Sequence, residues 1–275
     1  MSQIRIMPVT VRNAGDLASM CAGDANKSDE LWQRAIKAKR AWVRARLADL
    51  GTFAWLAYDG ADAVGVVQCH PERDGGEVAF IDCLWVPGKR YWGHGVGKKL
   101  LATVESSVSR QHRWFDGKSA DAIAALAFHG EAEGQRSAES FYAYHGFVRT
   151  KEDAEIMVKI LEAEEPKPAL SWIPHTANVQ VLIAQPEDVE RVTVLLGPIA
   201  CPFQYRILSK TGTYAGEKLG MPVTEVDAVG DPDGYAVRGG RPGILVGNRP
   251  LRYDLLEREK LDEELNALGV SSSHT

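Results

Sequence analysis

YWGHGVGKKLL, residues 91–101, is the stretch whose reading decides the fold of the first half of this chain. Gly93, Gly95 and Gly97 alternate directly ahead of a helical pattern in which Val96, Leu100, Leu101, Val104 and Val108 share one face. Glycines let the backbone take positive φ and approach a ligand closely. The free N–H groups at a helix start, at the positive end of its dipole, suit an anion such as a pyrophosphate. Lys98 and Lys99 add positive charge nearby. Alone, such a triplet is a weak signal, since a tight strand-to-helix turn also needs glycine for its backbone. A dinucleotide fingerprint needs a longer glycine spacing directly after the first strand, and here several strands come first.

Working outward, residues 3–11 alternate as an edge strand, and Asn13 with Asp16 marks a short helix. Residues 28–50 read as an amphipathic helix ended by Gly51, with Ile36, Trp42, Val43 and Leu47 at helical spacing. Strands are expected at 53–58, 63–69 and 77–86, with Asp59-Gly60 as the first turn. The near-continuous apolar third strand predicts burial on both faces, and Pro87 ends it. Beyond the loop, a helix over 96–109, a buried strand over 122–128, a helix over 137–145 and a hairpin over 147–161 follow. Trp32, Trp42, Trp55 and Trp85 fit either a core or the lining of an acceptor pocket.

The 275 residues suit two domains: 1–161, an acidic proline-bearing linker over 162–177, and 178–275. A formal net charge of -5 argues against nucleic acid as a partner. The basic run from Lys37 to Arg46 reads as a solvated helix face. Cys21, Cys69, Cys83 and Cys201 have neither disulfide-framework nor zinc spacing, so no metal is expected. The start of the chain does not read as a signal peptide, and no apolar run is long enough to span a membrane. A reducing cytoplasm and no membrane partner are the expectation.

Trp92-Gly93-His94-Gly95-Val96-Gly97 resembles the cofactor loop of the GNAT superfamily of acetyltransferases. Ser137 to Phe147 (SAESFYAYHGF) resembles that family's downstream A-x-x-F-Y-x-x-x-G-F motif. The resemblance spans about residues 3–161. It implies an α/β (α+β) fold with a central mixed sheet flanked by helices. It implies acetyl-CoA as cofactor, an amine of a small molecule or peptide as acceptor, and direct attack of that amine. It places the cofactor on Leu84, Trp85 and Val86 and on the loop from Trp92 to Lys98, with strand backbone near Leu84 and Trp85 polarising the thioester carbonyl. It makes Tyr142 the general acid, with Tyr144 its rival, and it leaves the base open among Glu77, Asp82 and His129. Trp92 departs from the pattern, since Arg or Gln is usual there.

Residues 192–206 (VTVLLGPIACPFQYR) and the later Arg241-Pro242-Gly243 resemble the thioredoxin/glutaredoxin fold, as in the YoaP-like extensions that follow some GNAT domains. In that fold the proline of the second motif is cis. Gln204 replaces the second cysteine, so dithiol exchange within the motif is excluded, and Cys201 at a helix start is left as one thiol open to activation. Two further readings stand beside the enzyme. One is a regulatory or scaffold protein that binds acyl-CoA without transfer; the other is a thiol-binding protein centred on Cys201. A homodimer is compatible with all three.

Overall fold

The computed structural model describes residues 3–22, 28–72, 77–110, 112–127, 137–150, 156–161, 182–197 and 201–272. The expected linker, His129 and the tip of the last hairpin lie outside them. Contacts divide the chain into two compact units, Met1–Met20 with Val43–Asn178, and Cys21–Trp42 with Val179–Thr275. Residues 21–42 therefore group with the C-terminal part of the chain, a difference from the contiguous division expected from composition.

In the first unit, β1 (Arg5–Pro8), α1 (Ala14–Ser19), β2 (Ala54–Asp59), β3 (Asp62–Glu72) and β4 (Val78–Trp85) precede the glycine loop. Between α1 and β2, α2 (Glu30–Leu50) starts in the second unit and ends in the first. Asp29 caps its start by accepting from the Trp32 amide at 2.8 Å, and Gly51, at φ +73°, follows its end. The last carbonyls of α2 are taken up: Arg113 donates to that of Asp49 and the Trp114 indole to that of Leu50. After the loop come α3 (Val96–Val108), β5 (Ala122–Leu126), α4 (Ala138–Tyr144), β6 (Val148–Arg149) and β7 (Ile156–Ile160).

The seven strands form one mixed sheet in the order β1-β2-β3-β4-β5-β7-β6. All pairs are antiparallel except β4 with β5, which are parallel. Helix α3 buries the five residues assigned to its apolar face. It packs closest over β3 at Gly65, where a Cβ would lie 3.1 Å from Val96 and Leu100.

In the second unit, β8 (Val192–Leu196), α5 (Pro202–Leu219), β9 (Val223–Asp227), α6 (Pro232–Val237), β10 (Gly243–Val246), β11 (Arg249–Pro250) and α7 (Arg258–Ser272) follow in order. Their sheet runs β11-β10-β8-β9, with β8 and β9 parallel and the other pairs antiparallel. Helix α5 approaches the sheet through Gly212 and Gly216, where a Cβ would come within 2.1 Å of Val194 and 2.3 Å of Val223. Ala35 and Ala38 of α2 share this unit's core with Val192, Val194, Tyr205, Leu261 and Leu265. Trp32, Trp42 and Trp55 are buried as core, and Trp85 is half-buried.

Three expectations need correction. The basic run of α2 is not uniformly solvated: Lys37, Arg40 and Arg44 are exposed, whereas Lys39 is fully buried. The C-terminal half of β4 is half-buried rather than covered on both faces. The Arg241–Pro242 peptide is trans, since no cis bond occurs among the described residues. Among those residues no helix is long and apolar enough to cross a membrane.

Candidate functional site

Strand β4 is the hinge of the site. Its pairing with β5 ends at Ile81 opposite Ala125, yet β4 continues beside β3 to Trp85. Beyond Ile81 its β5 side has no strand partner among the described residues, and this gap in the pairing, beside Leu84 and Trp85, is the slot of the candidate site. A register shift falls there too: Gln68 faces Cys83 while Cys69 faces Ile81, which leaves Asp82 as the extra residue of a β-bulge. Such bulges re-aim side chains and loosen pairing locally.

The glycine loop lies between the end of β4 and the start of α3. Gly93 and Gly95 take φ +74° and +77°, and Gly95 is the residue that caps α3. A Cβ at either position would meet nothing within 4 Å, so the space at the loop is open. No acidic residue stands in the first turn of α3, and His94, Lys98 and Lys99 are exposed around it. The third glycine has a different reason. A Cβ at Gly97 would sit 3.2 Å from the Phe141 ring, so Gly97 lets α3 and α4 approach each other. Trp92 explains its own departure from the family pattern. Its indole N–H donates to the Val86 carbonyl at 2.8 Å and pins the loop to the strand end.

On α4, Ser137 caps the first turn and Tyr142 is buried, its ring 5.4 Å from Phe141 and 5.1 Å from Phe147. Burial, then the neighbouring Cys83 thiol, push the Tyr142 pKa up, so the phenol keeps its proton. Tyr144 is 74% exposed. The two tyrosines of one motif are thus separated, and Tyr142 is the one placed beside β4.

The carboxylates singled out by sequence part company. Glu77 is bound by the Lys118 ammonium at 2.6 Å at the far end of β4 from the slot. Asp82 instead meets a residue the sequence did not single out: its Oδ1 lies 2.9 Å from His70 Nδ1. His70 also stands 3.9 Å from Glu72 and packs its ring 5.4 Å from Phe80. Burial pulls the His70 pKa down, but the Asp82 hydrogen bond and the charges of Asp82 and Glu72 outweigh it and Arg46, so the pKa is raised. The imidazole and carboxylate form a proton-accepting pair at the bulge, with Cys83 next in the chain and near Tyr142. Among the described residues no cluster of His, Cys, Asp and Glu is placed to hold a metal ion.

The model of the acetyltransferase (GNAT) family matches residues 19–147. No curated protein matches the chain. Solved structures similar to it include the PaiA N-acetyltransferase of Thermoplasma acidophilum in complex with coenzyme A, at 16% identity and TM-score 0.40, covering 58% of this chain and 99% of that one. A GNAT family acetyltransferase of Brucella melitensis in complex with acetyl-CoA matches at 15% identity and TM-score 0.37, over 64% and 99%. Ard1 of Thermoplasma volcanium matches at 14% identity and TM-score 0.40, over 58% and 99%.

Proposed function

We propose that the first unit transfers an acetyl group from acetyl-CoA to a primary amine of a small molecule or peptide. The observation that supports this most is the helix start behind Gly93 and Gly95, open in front and set beside the slot where β4 leaves β5. Backbone amides from Gly93 to Lys98 hold the pyrophosphate, with Trp92 fixing the loop and Lys98 adding charge. The edge of β4 at Leu84, Trp85 and Val86 orients the pantetheine arm and polarises the thioester carbonyl.

An alkyl amine with a pKa near ~10.4 is almost all ammonium at neutral pH and must lose a proton to attack. The His70–Asp82 pair takes that proton, directly or through a water, with His70 as the base and Asp82 orienting it. The neutral amine then forms its bond to the carbonyl carbon, the C–S bond breaks with the electron pair on sulfur, and the second proton that the nitrogen loses on becoming an amide passes to the thiolate. Tyr142 donates to the departing thiolate. Its raised pKa makes it a weaker acid than a thiol, so its contribution is a charge-assisted hydrogen bond rather than a downhill proton transfer.

Replacing Tyr142 by Phe is expected to lower kcat by roughly 10- to 100-fold, the worth of one hydrogen bond to a charged group. Coenzyme A affinity by calorimetry should stay nearly unchanged. Equal turnover of Tyr142→Phe and wild type would remove this residue from the mechanism.

For the second unit, the β8-α5-β9-α6-β10-β11-α7 order and the Cys201-Pro202 start of α5 support a thioredoxin-like fold of its own. We place it as a separate domain.

A further inference from the structure

Among the described residues of the second unit, three buried side-chain donors have no hydrogen-bond acceptor: the Trp32 indole N–H, the Lys39 ammonium and the Arg206 Nε–H. All three groups donate and cannot accept. Leaving one such group buried and unmatched destabilises the fold, and does so more where the group is charged. The deficit therefore has one sign: an acceptor with negative charge is missing.

The three donors lie on two elements that meet. Trp32 and Lys39 are two helical turns apart on α2, so they share a face. Arg206 stands in the second turn of α5, its guanidinium carbon 4.4 Å over the Trp32 ring and its Nη2 3.7 Å from Asp29. Arg34 ties the same two helices by donating to the Tyr205 hydroxyl at 3.2 Å. Cys201 caps the start of α5, an 18-residue helix whose first turn carries no acidic residue. Lys39 and Cys201 both lie within electrostatic reach of Cys21. The two cysteines are half-buried whereas Lys39 is fully buried.

We propose that Lys39, Trp32 and Arg206, with the start of α5, form a binding site for an oxyanion such as a phosphate or carboxylate group, near Cys21 and Cys201. The site is independent of the acetyl-CoA reading, which concerns the other unit. Asp29 and Glu225 supply acidic counterparts to Arg206 and Arg34, respectively, but nothing described neutralises Lys39. An anion bound there turns three unmatched donors into matched ones and covers the Cys201 thiol.

The test is alkylation of the full-length protein by iodoacetamide, read by mass spectrometry at Cys21 and Cys201, with Cys83 of the other unit as internal reference. Inorganic phosphate at about 10 mM, with ionic strength held constant by chloride, is expected to slow alkylation of Cys201 by roughly fivefold or more, as occupancy of a site with Kd near a few mM requires. Lys39→Met should abolish the protection and Lys39→Arg should retain most of it. If Lys39→Met does not fold, Trp32→Phe removes one donor and keeps the ring, and should weaken protection measurably. Acetate in place of phosphate distinguishes carboxylate from phosphate recognition, and protection by either supports the site. Unchanged alkylation of Cys201 in both anions, or equal protection in wild type and Lys39→Met, would overturn it.

Discussion

His70→Ala is expected to lower kcat/KM by roughly 10²- to 10⁴-fold, the usual contribution of a positioned general base. The sharper result is in the pH profile. His70 works as a base only when neutral, and its pKa is raised above the ordinary value near ~6.5. Activity should therefore rise with pH along an acidic limb whose midpoint lies above that value. Asp82→Asn removes one of the charges that raise it and weakens the hydrogen bond to a neutral one. Burial and Arg46 then dominate over Glu72, and the limb moves to lower pH. A merely structural Asp82 would lower the rate and leave the limb in place. Steady-state rates with an amine acceptor across pH 5–9 would separate the two outcomes, the range being about two units either side of neutrality.

Asp188→Ala is expected to destabilise the second unit by about 3 kcal/mol, because a buried guanidinium loses its bidentate partner and keeps only Glu187 and the Gly234 carbonyl. Arg238 donates to both carboxylate oxygens of Asp188, at 2.9 and 3.0 Å, and both side chains are almost fully buried. The Gln185 amide at 2.8 Å and the Thr193 hydroxyl at 2.7 Å complete the carboxylate's hydrogen bonds. Burial pulls the Asp188 pKa up, but these three donors outweigh it and hold the carboxyl below its usual range. The stability it contributes is present above the unfolded value near ~3.9 and is lost as pH falls through the lower folded value. Hydrogen exchange of the β8 amides in the full-length protein reads the opening free energy of this unit alone. Asp188→Ala should speed that exchange, and Asp188→Ala with Arg238→Met should recover part of the loss. Unchanged β8 exchange would mean the pair contributes nothing.

The parts of the site that were legible in sequence are those written in local geometry. Gly93 and Gly95 were readable because positive φ needs glycine, and the face of α3 because five apolar residues repeat at helical spacing. The motif resemblance ranked Tyr142 over Tyr144, but periodicity could not, since both stand on a helix too short to show a period; their difference in burial appears only in three dimensions. His70 was missed because it sits near the end of a strand, where a histidine reads as exposed. Its partner is set by the β3–β4 register and by the bulge at Asp82, which are not local. A register count across the loop at 73–76 would have put His70 opposite Phe80, two residues from Asp82, and that was the available signal. Lys39 shows the converse. A basic run reads as solvated, and only the folded structure reveals that one of its charges is enclosed.

Calorimetric titration of acetyl-CoA into wild type and Gly95→Val tests the central claim most directly. A Cβ at Gly95 touches nothing, so the substitution acts through the backbone, where φ +77° strains a β-branched residue and distorts the amides ahead of α3. Wild type should bind one acetyl-CoA per chain, and the variant should bind it roughly tenfold more weakly or worse, as about 1–2 kcal/mol of strain at the loop requires. No binding heat with wild type, or the same affinity in both proteins, would contradict the assignment of this loop to the cofactor.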